Sequence, residues 1–263
     1  MSNLLQIIKS LENNASVDAV LLVGSQSSNE HREYSDIDLV VILKEKTSDL
    51  QSLFQYVDDK PCDIFFFDGA ILKLFLGAKT IPANKMDAVL LGWLDTAHVY
   101  FDKSGILKSL IDNKESLKAK LEVPVEEMIS FESKINAGYI TNKRYFDSGN
   151  PEYHDALETK LLQDVYNVLI GYFEFRVIPW RGEKTMLRYL KEKDKAFYDL
   201  YMSYIRAITI EEKFKLYERL VLAVFYGEYC LWDREVVRPY TNRPLKKEEQ
   251  AHLVEYWKGL IKS

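Results

Sequence analysis

Residues 18–43 read DAVLLVGSQSSNEHREYSDIDLVVIL, and this stretch decides the fold. The apolar run 18–23 is typical of a buried strand, and it stops at Gly24. A polar segment follows, and a second apolar run, 36–43, predicts the next strand. Two buried strands joined by a polar loop indicate the centre of a sheet, with the loop at one of its edges.

Two carboxylates open the second predicted strand. Asp36 and Asp38 are separated by one residue, so their side chains are expected on the same face of the strand. Adjacent carboxylates repel each other and are costly on an apolar face, whereas a divalent cation between them removes that penalty. Oxygen ligands of this kind suit Mg²⁺. Taken alone, the pair is also explained as two solvated acids at a strand edge.

The end of the first strand favours the metal interpretation. Gly24 permits a tight turn, and free amides together with the Ser25 hydroxyl suit a triphosphate. A phosphate-binding turn would then face two metal-binding acids on the next strand. This arrangement predicts a site that positions Mg²⁺ and a nucleoside triphosphate for in-line attack on the α-phosphorus.

The pattern of Gly24-Ser25, ten intervening residues and then Asp36-Ile37-Asp38 resembles the nucleotidyltransferase superfamily that includes DNA polymerase beta. The resemblance implies a mixed sheet flanked by helices, one or two Mg²⁺ ions, and ATP or another nucleoside triphosphate as co-substrate. It also implies a third acid on the next strand, for which Asp63 is the candidate as metal ligand and proton acceptor. An ordinary acid at a strand start is the alternative for Asp63, and Asp68 is expected to cap the helix that follows.

The rest of the chain divides at Pro124. Before it, strands alternate with helices; after it, only helical periodicity remains, which predicts an α+β protein with a catalytic domain at 1–124 and an all-α helical-bundle domain at 125–263. The helices are predicted at 3–13, from Thr47 or Ser48 to Val57, and at 70–78, 84–95, 125–147, 152–176, 183–206, 211–232 and 246–261. Further strands are predicted at 63–67 and 97–101.

Two segments are similar to the antibiotic nucleotidyltransferases, which modify aminoglycosides or lincosamides: residues 97–105, and the Trp180-x-x-x-Lys184 spacing. This resemblance implies an antibiotic-type small molecule as the acceptor of AMP. It also implies that Lys184 neutralises the leaving pyrophosphate, although an exposed lysine in a first helical turn explains the residue equally well. The acids Glu152, Asp155 and Glu158 are candidates for a cationic acceptor or for a solvated helix face.

Composition limits the partners. The net charge of −5 argues against bulk binding of nucleic acid, and residues 1–125 hold 13 Lys and Arg against 18 Asp and Glu. No apolar run is long enough to span a membrane, and Cys62 and Cys230 are interpreted as reduced core thiols. We therefore expect a cytoplasmic protein whose partners are a nucleotide and a small-molecule acceptor; pairing into a homodimer stays open.

Two other functions are compatible with the motif. The acceptor would be a protein or tRNA in an enzyme linked to toxin–antitoxin modules, but such systems often keep the helical partner on a separate chain. A regulator that binds nucleotide without turnover is the second alternative. The intact glycine–serine turn and the three acids argue against it.

Overall fold

The computed structural model describes residues 3–24, 36–82, 85–123, 125–180, 182–233, 237, 239 and 245–261. The chain divides into two compact units, Met1–Glu122 and Val123–Ser263. The first is built of strands and helices, and the described residues of the second form helices and connecting segments only. The predicted α+β class is confirmed.

In chain order, the elements of the first unit are α1 (Asn3–Asn13), β1 (Val17–Val23), β2 (Ile37–Leu43), β3 (Ser52–Val57), β4 (Lys60–Asp68), α2 (Gly69–Gly77), β5 (Ile81–Pro82), α3 (Lys85–Trp93), β6 (His98–Asp102), α4 (Ile106–Asp112), α5 (Lys114–Lys118) and β7 (Leu121–Glu122). Those of the second unit are α6 (Val125–Asp147), α7 (Glu152–Phe175), α8 (Glu183–Lys193), α9 (Lys195–Arg206), α10 (Ile210–Val224) and α11 (Lys247–Ile261).

Five strands form a mixed sheet in the order β3-β4-β2-β1-β6. The β2–β4 pair is parallel, and the other neighbours are antiparallel. One face packs against α1, and the other contributes to a core with residues of α2 to α5. Because β1 and β2 are covered on both faces, their sequences are almost continuously apolar rather than alternating.

The helix predicted from Thr47 or Ser48 to Val57 is wrong, because residues 52–57 form the edge strand β3. A two-residue turn, Asp58-Asp59, joins it to β4, and both residues have positive φ, 51° and 61°. The sequence 53–57 alternates between the two faces of the sheet, and pairing with β4 satisfies the backbone on one side. The turn also contacts α1: the Asp58 carboxylate accepts hydrogen bonds from the backbone N–H groups of Asn3 (3.0 Å) and Leu4 (3.3 Å) at the start of that helix.

In the second unit, helices α6 to α10 pack around one apolar cluster that includes Ile135, Leu161, Phe173 and Tyr217. The prediction of a single helix over 183–206 is wrong, because the chain forms two helices, α8 and α9, that are separated at Asp194. That carboxylate accepts hydrogen bonds from the Phe197 N–H (3.0 Å) and the Tyr172 hydroxyl (2.9 Å), so it caps a new helix, α9.

Three smaller predictions have mixed outcomes. The helix predicted over 211–232 ends earlier, at Val224, and the chain continues in extended conformation at Phe225. Asp68 caps α2 as predicted, accepting from the N–H groups of Ala70 and Ile71. Cys62 is buried as predicted, but Cys230 is exposed and is therefore not a core thiol. Among the residues described, no helix is both long enough and apolar enough to cross a bilayer.

The turn geometry predicts that Asp59→Gly stabilises the protein. Glycine adopts positive φ without the steric cost of a Cβ, so we expect a gain of about 0.5 to 1 kcal/mol in the free energy of unfolding. Urea unfolding followed by circular dichroism measures it. In the matched variant Asp58→Gly the same relief is offset by loss of the two hydrogen bonds to α1, so a gain as large as that of Asp59→Gly would contradict the assigned role of the Asp58 carboxylate.

Candidate functional site

Three carboxylates meet on one face of the sheet. Asp38 in β2 is paired in parallel register with Asp63 in β4, so the two side chains lie side by side. Asp36 precedes β2 by one residue and projects toward the same face. One carboxylate oxygen from each of the three lies within 4.8 Å of the others. Asp36 is exposed, whereas Asp38 and Asp63 are partly buried.

Gly24 completes this arrangement from the other side. The last residue of β1, Val23, is paired with Asp38, so the chain turns at Gly24 directly beside that carboxylate. Gly24 has a φ of +72°, and a Cβ placed on it would lie 2.2 Å from the Asp38 Oδ2 atom. Only glycine therefore allows both the turn and the position of Asp38.

Burial and nearby negative charge alter the protonation of Asp38. Burial, followed by the charges of Asp36 and Asp63, raises the pKa of the Asp38 carboxyl from 3.8 to about 7. Burial also raises the pKa of the neighbouring Cys62 thiol to about 11, with the charges of Asp63 and Asp38 adding to the effect. Cys62 therefore remains a protonated, inert thiol behind the acids.

The donor set fits a hard divalent cation. Three carboxylates within reach of one another supply oxygen ligands, and a cation among them would relieve the repulsion that raises the Asp38 pKa. Asp36, Asp38 and Asp63 are the residues that would hold Mg²⁺. Their exposed side leaves room for ligands from a substrate.

The structure brings together four of the residues predicted for the site: Gly24, Asp36, Asp38 and Asp63. Ser25 lies outside the described residues. Lys184 is an exposed residue in the first turn of α8, in the second unit, and its role toward pyrophosphate stays a prediction.

The acidic candidates of the second unit are exposed, as a solvated helix face would be. Glu152, Asp155 and Glu158 lie in α7, and one Glu158 carboxylate oxygen accepts a hydrogen bond from the Lys213 ammonium at 3.1 Å. The paired Glu158 is therefore already partly neutralised within its own unit.

The edge strand β3 contributes a residue near the acids that the sequence does not predict there. Phe54 is paired with Asp63 and so lies on the face that carries the acids, whereas the sequence pattern predicts a helix for this segment. A strand signal is present in the sequence: residues 53–57 are rich in aromatic and β-branched side chains, and Asp58-Asp59 follows as a turn-type pair.

We predict that Gly24→Ala weakens metal binding by about 10- to 100-fold, because the new Cβ displaces the Asp38 carboxylate. Calorimetric titration with Mg²⁺ or Mn²⁺ measures the affinity. Gly77→Ala is the matched control, since a Cβ at Gly77 meets nothing within 4 Å. Equal affinities of Gly24→Ala and wild type would show that the turn does not position the acid.

The raised pKa of Asp38 predicts a specific dependence of stability on pH in the absence of metal. Between pH 4 and pH 7 the folded protein binds this proton more tightly than the unfolded chain, so the free energy of unfolding falls as the pH rises through that window. Asp38→Asn removes the effect. With chelator present, we expect the variant to be more stable than wild type by about 2 kcal/mol at pH 8, allowing for partial solvent screening, and equally stable near pH 4.

Urea unfolding across this pH range measures the difference, and saturating Mg²⁺ provides the control. Metal bound only to the folded state stabilises wild type at pH 8, and the variant, lacking one ligand, gains less. A variant less stable than wild type in chelator at pH 8 would contradict the electrostatic account.

Part of the first unit is similar in sequence to a known protein family. Residues 5–66, which run from α1 to β4 and include Gly24 and all three acids, match the family model described as polymerase beta, nucleotidyltransferase. No curated protein is significantly similar in sequence. The crystal structure of a nucleotidyltransferase-like protein from Exiguobacterium sibiricum 255-15 aligns with 97% of this chain and 86% of its own, at 14% identity and a TM-score of 0.45. The segment 5–66, which carries the three acids and Gly24, is thus similar to the polymerase beta nucleotidyltransferase family.

Proposed function

We propose that the protein transfers a nucleoside monophosphate, AMP from ATP, to a hydroxyl group of a small molecule and releases pyrophosphate. The observation that carries the proposal is the convergence of Asp36, Asp38 and Asp63 beside the Gly24 turn, within the segment that matches the nucleotidyltransferase family. Bound Mg²⁺ would supply neutralisation of the triphosphate charge and polarisation of the α-phosphoryl group.

The protein's own residues have distinct roles in the proposed reaction. The turn at Gly24 brings the backbone close to Asp38, and this turn is proposed to lie against the phosphates. Asp36 and Asp38 would hold the metal ion that neutralises the triphosphate. In the transfer, the acceptor oxygen forms a bond to the α-phosphorus while the bond from that phosphorus to the bridging oxygen breaks, and pyrophosphate leaves.

Asp63 is proposed to take the proton of the attacking hydroxyl. Across the sheet, Gly24 and Asp63 lie on opposite sides of Asp38, because β2 separates β1 from β4. In-line displacement needs the leaving group and the nucleophile on opposite sides of phosphorus. With the triphosphate at the Gly24 side, the attacking hydroxyl is on the side of Asp63, within reach of its carboxylate.

The acceptor class belongs to the same proposal. Similarity of residues 97–105 and of the Trp180-to-Lys184 spacing to antibiotic nucleotidyltransferases supports aminoglycosides or lincosamides as the first compounds to test. Attachment of AMP to a protein or to tRNA is the competing outcome, and labelled ATP distinguishes it, because the label would then appear in a macromolecule.

We predict that the protein with Mg²⁺, ATP and a panel of hydroxylated antibiotics releases pyrophosphate, and that Asp38→Asn or Asp63→Asn lowers kcat by at least about 1,000-fold. Each substitution removes a metal ligand, and the second also removes the proton acceptor. A coupled pyrophosphate assay with mass spectrometry of the products measures both. Asp49→Asn is the control, since this carboxylate is exposed in the same unit but away from the three acids. Full activity in either site variant would refute the assignment.

A further inference from the structure

Two large aromatic side chains stand exposed on the edge strand β3. Phe54 is 59% exposed and Tyr56 is 68% exposed. Their ring centroids are 5.5 Å apart, and the rings meet edge to face at 81°. Neighbouring exposed aromatics form an apolar patch, and such patches mark binding surfaces more often than isolated exposed residues do.

The strand register places this pair on the face of the acids. Phe54 is paired with Asp63, Asp63 with Asp38, and Asp38 with Val23, so one row crosses four neighbouring strands. Side chains of directly paired residues lie on the same face of a sheet, and their Cβ atoms are about 4.5–5.5 Å apart in an antiparallel pair. The Phe54 ring therefore begins beside the Asp63 carboxylate.

The packing of β3 does not require these rings. Leu53 and Val57 lie on the opposite face and pack into the core that includes α1, together with Cys62 and Ile64 of the neighbouring strand. Burial of these alternate residues is enough to hold β3 in place. Phe54 and Tyr56 consequently keep apolar surface in water without contributing to either core of the first unit.

The order along the row indicates what the rings would bind. If the triphosphate lies at the Gly24 side and Asp63 takes the proton of the attacking hydroxyl, the body of the acceptor extends past Asp63 toward β3. The nucleoside is attached to phosphorus through a third oxygen, outside the line of attack, so the row beyond Asp63 is left to the acceptor.

We propose that Phe54 and Tyr56 form an acceptor subsite that stacks the ring of the acceptor molecule carrying the attacked hydroxyl. This inference rests on the proposed nucleotidyl transfer. The occupant is a hydroxylated ring with an apolar face, such as a sugar or cyclitol. Because Phe54 and Tyr56 meet edge to face, one aromatic ring can present its face to a rigid ligand ring while the other contacts the ligand's edge. An open-chain polyol presents no such face and gains little there.

The test compares ring and open-chain probes in calorimetric titrations. The protein is first saturated with Mg²⁺ and α,β-methylene ATP, whose own affinity is recorded for every variant. The ring probes are kanamycin A, lincomycin and methyl β-D-glucoside, and the open-chain probe is sorbitol. The variants are Phe54→Ala, Tyr56→Ala and the conservative Phe54→Tyr. Gln55→Ala is the matched control, on the same strand but between the two aromatic residues and therefore on the other face.

The expected result is that at least one ring probe binds wild type and loses about 5- to 30-fold in affinity in Phe54→Ala, with a smaller loss in Tyr56→Ala. Phe54→Tyr and Gln55→Ala retain wild-type affinity, and the nucleotide analogue binds equally to all variants. Where a ring probe is turned over, Phe54→Ala raises its KM and leaves kcat unchanged. Unfolding of the variant would weaken binding of the nucleotide analogue as well, so it would not produce a selective loss of ring-probe affinity.

Three outcomes overturn the inference. Weaker binding of the nucleotide analogue in Phe54→Ala would assign the rings to the base, and equal loss for sorbitol would exclude ring stacking. If no ring probe binds although the nucleotide analogue does, the subsite is wrong while the proposed nucleotide site stands. Absence of Mg²⁺-dependent binding of the analogue to wild type would instead remove the proposed function itself.

Discussion

The parallel pairing of β2 with β4 is the constraint on which the site depends. It sets Asp38 and Asp63 directly opposite each other, although two carboxylates at that spacing repel. The apolar residues that follow them in both strands are buried or partly buried in the sheet's two cores, and their burial holds the register against that repulsion. A slip of one residue would move every one of those side chains to the wrong face. The cohesion of the core thus maintains a local arrangement that electrostatics alone disfavours.

Gly24, which directly follows β1, is the second constraint on the site. A side chain at this position would occupy the space of the Asp38 carboxylate, so the absence of a side chain is what lets the turn approach the acids. The need for a residue without a side chain at Gly24 and the need for a carboxylate at Asp38 are therefore linked by one close contact. This coupling gives a physical reason for the short distance in sequence between the glycine turn and the Asp-x-Asp motif: two antiparallel strands that follow each other in the chain bring them together.

Much of this could be read from the sequence because the signals were local. Continuous apolar runs predicted β1 and β2, and the spacing of Asp36 and Asp38 predicted that they share a face. The third acid was implied by the family resemblance, and the apolar run that follows Asp63 indicated the candidate. The edge strand β3 was not predicted, because in the described sheet only one of its sides is paired and its sequence carries polar and exposed residues that also suit a helix. The register between strands that are distant in sequence, such as the pairing of Asp38 with Asp63, has no local signal.

The helical unit illustrates another limit. Periodicity located its helices but not the break at Asp194, whose carboxylate caps α9 through the Phe197 N–H. The same carboxylate also accepts a hydrogen bond from Tyr172 of α7, a tertiary contact that sequence periodicity does not show. Helix ends are therefore set partly by tertiary contacts, and sequence patterns alone extended two of the predicted helices too far.

The alternation of β3 has an evolutionary consequence. Its inward side chains, Leu53 and Val57, maintain the core, while Phe54 and Tyr56 face water. Mutations at positions 54 and 56 can thus accumulate without repacking the interior or moving the acids on the adjacent strand. Natural selection can reshape this rim of the sheet in single steps, each tolerated by the fold, while the neighbouring row of carboxylates stays the same.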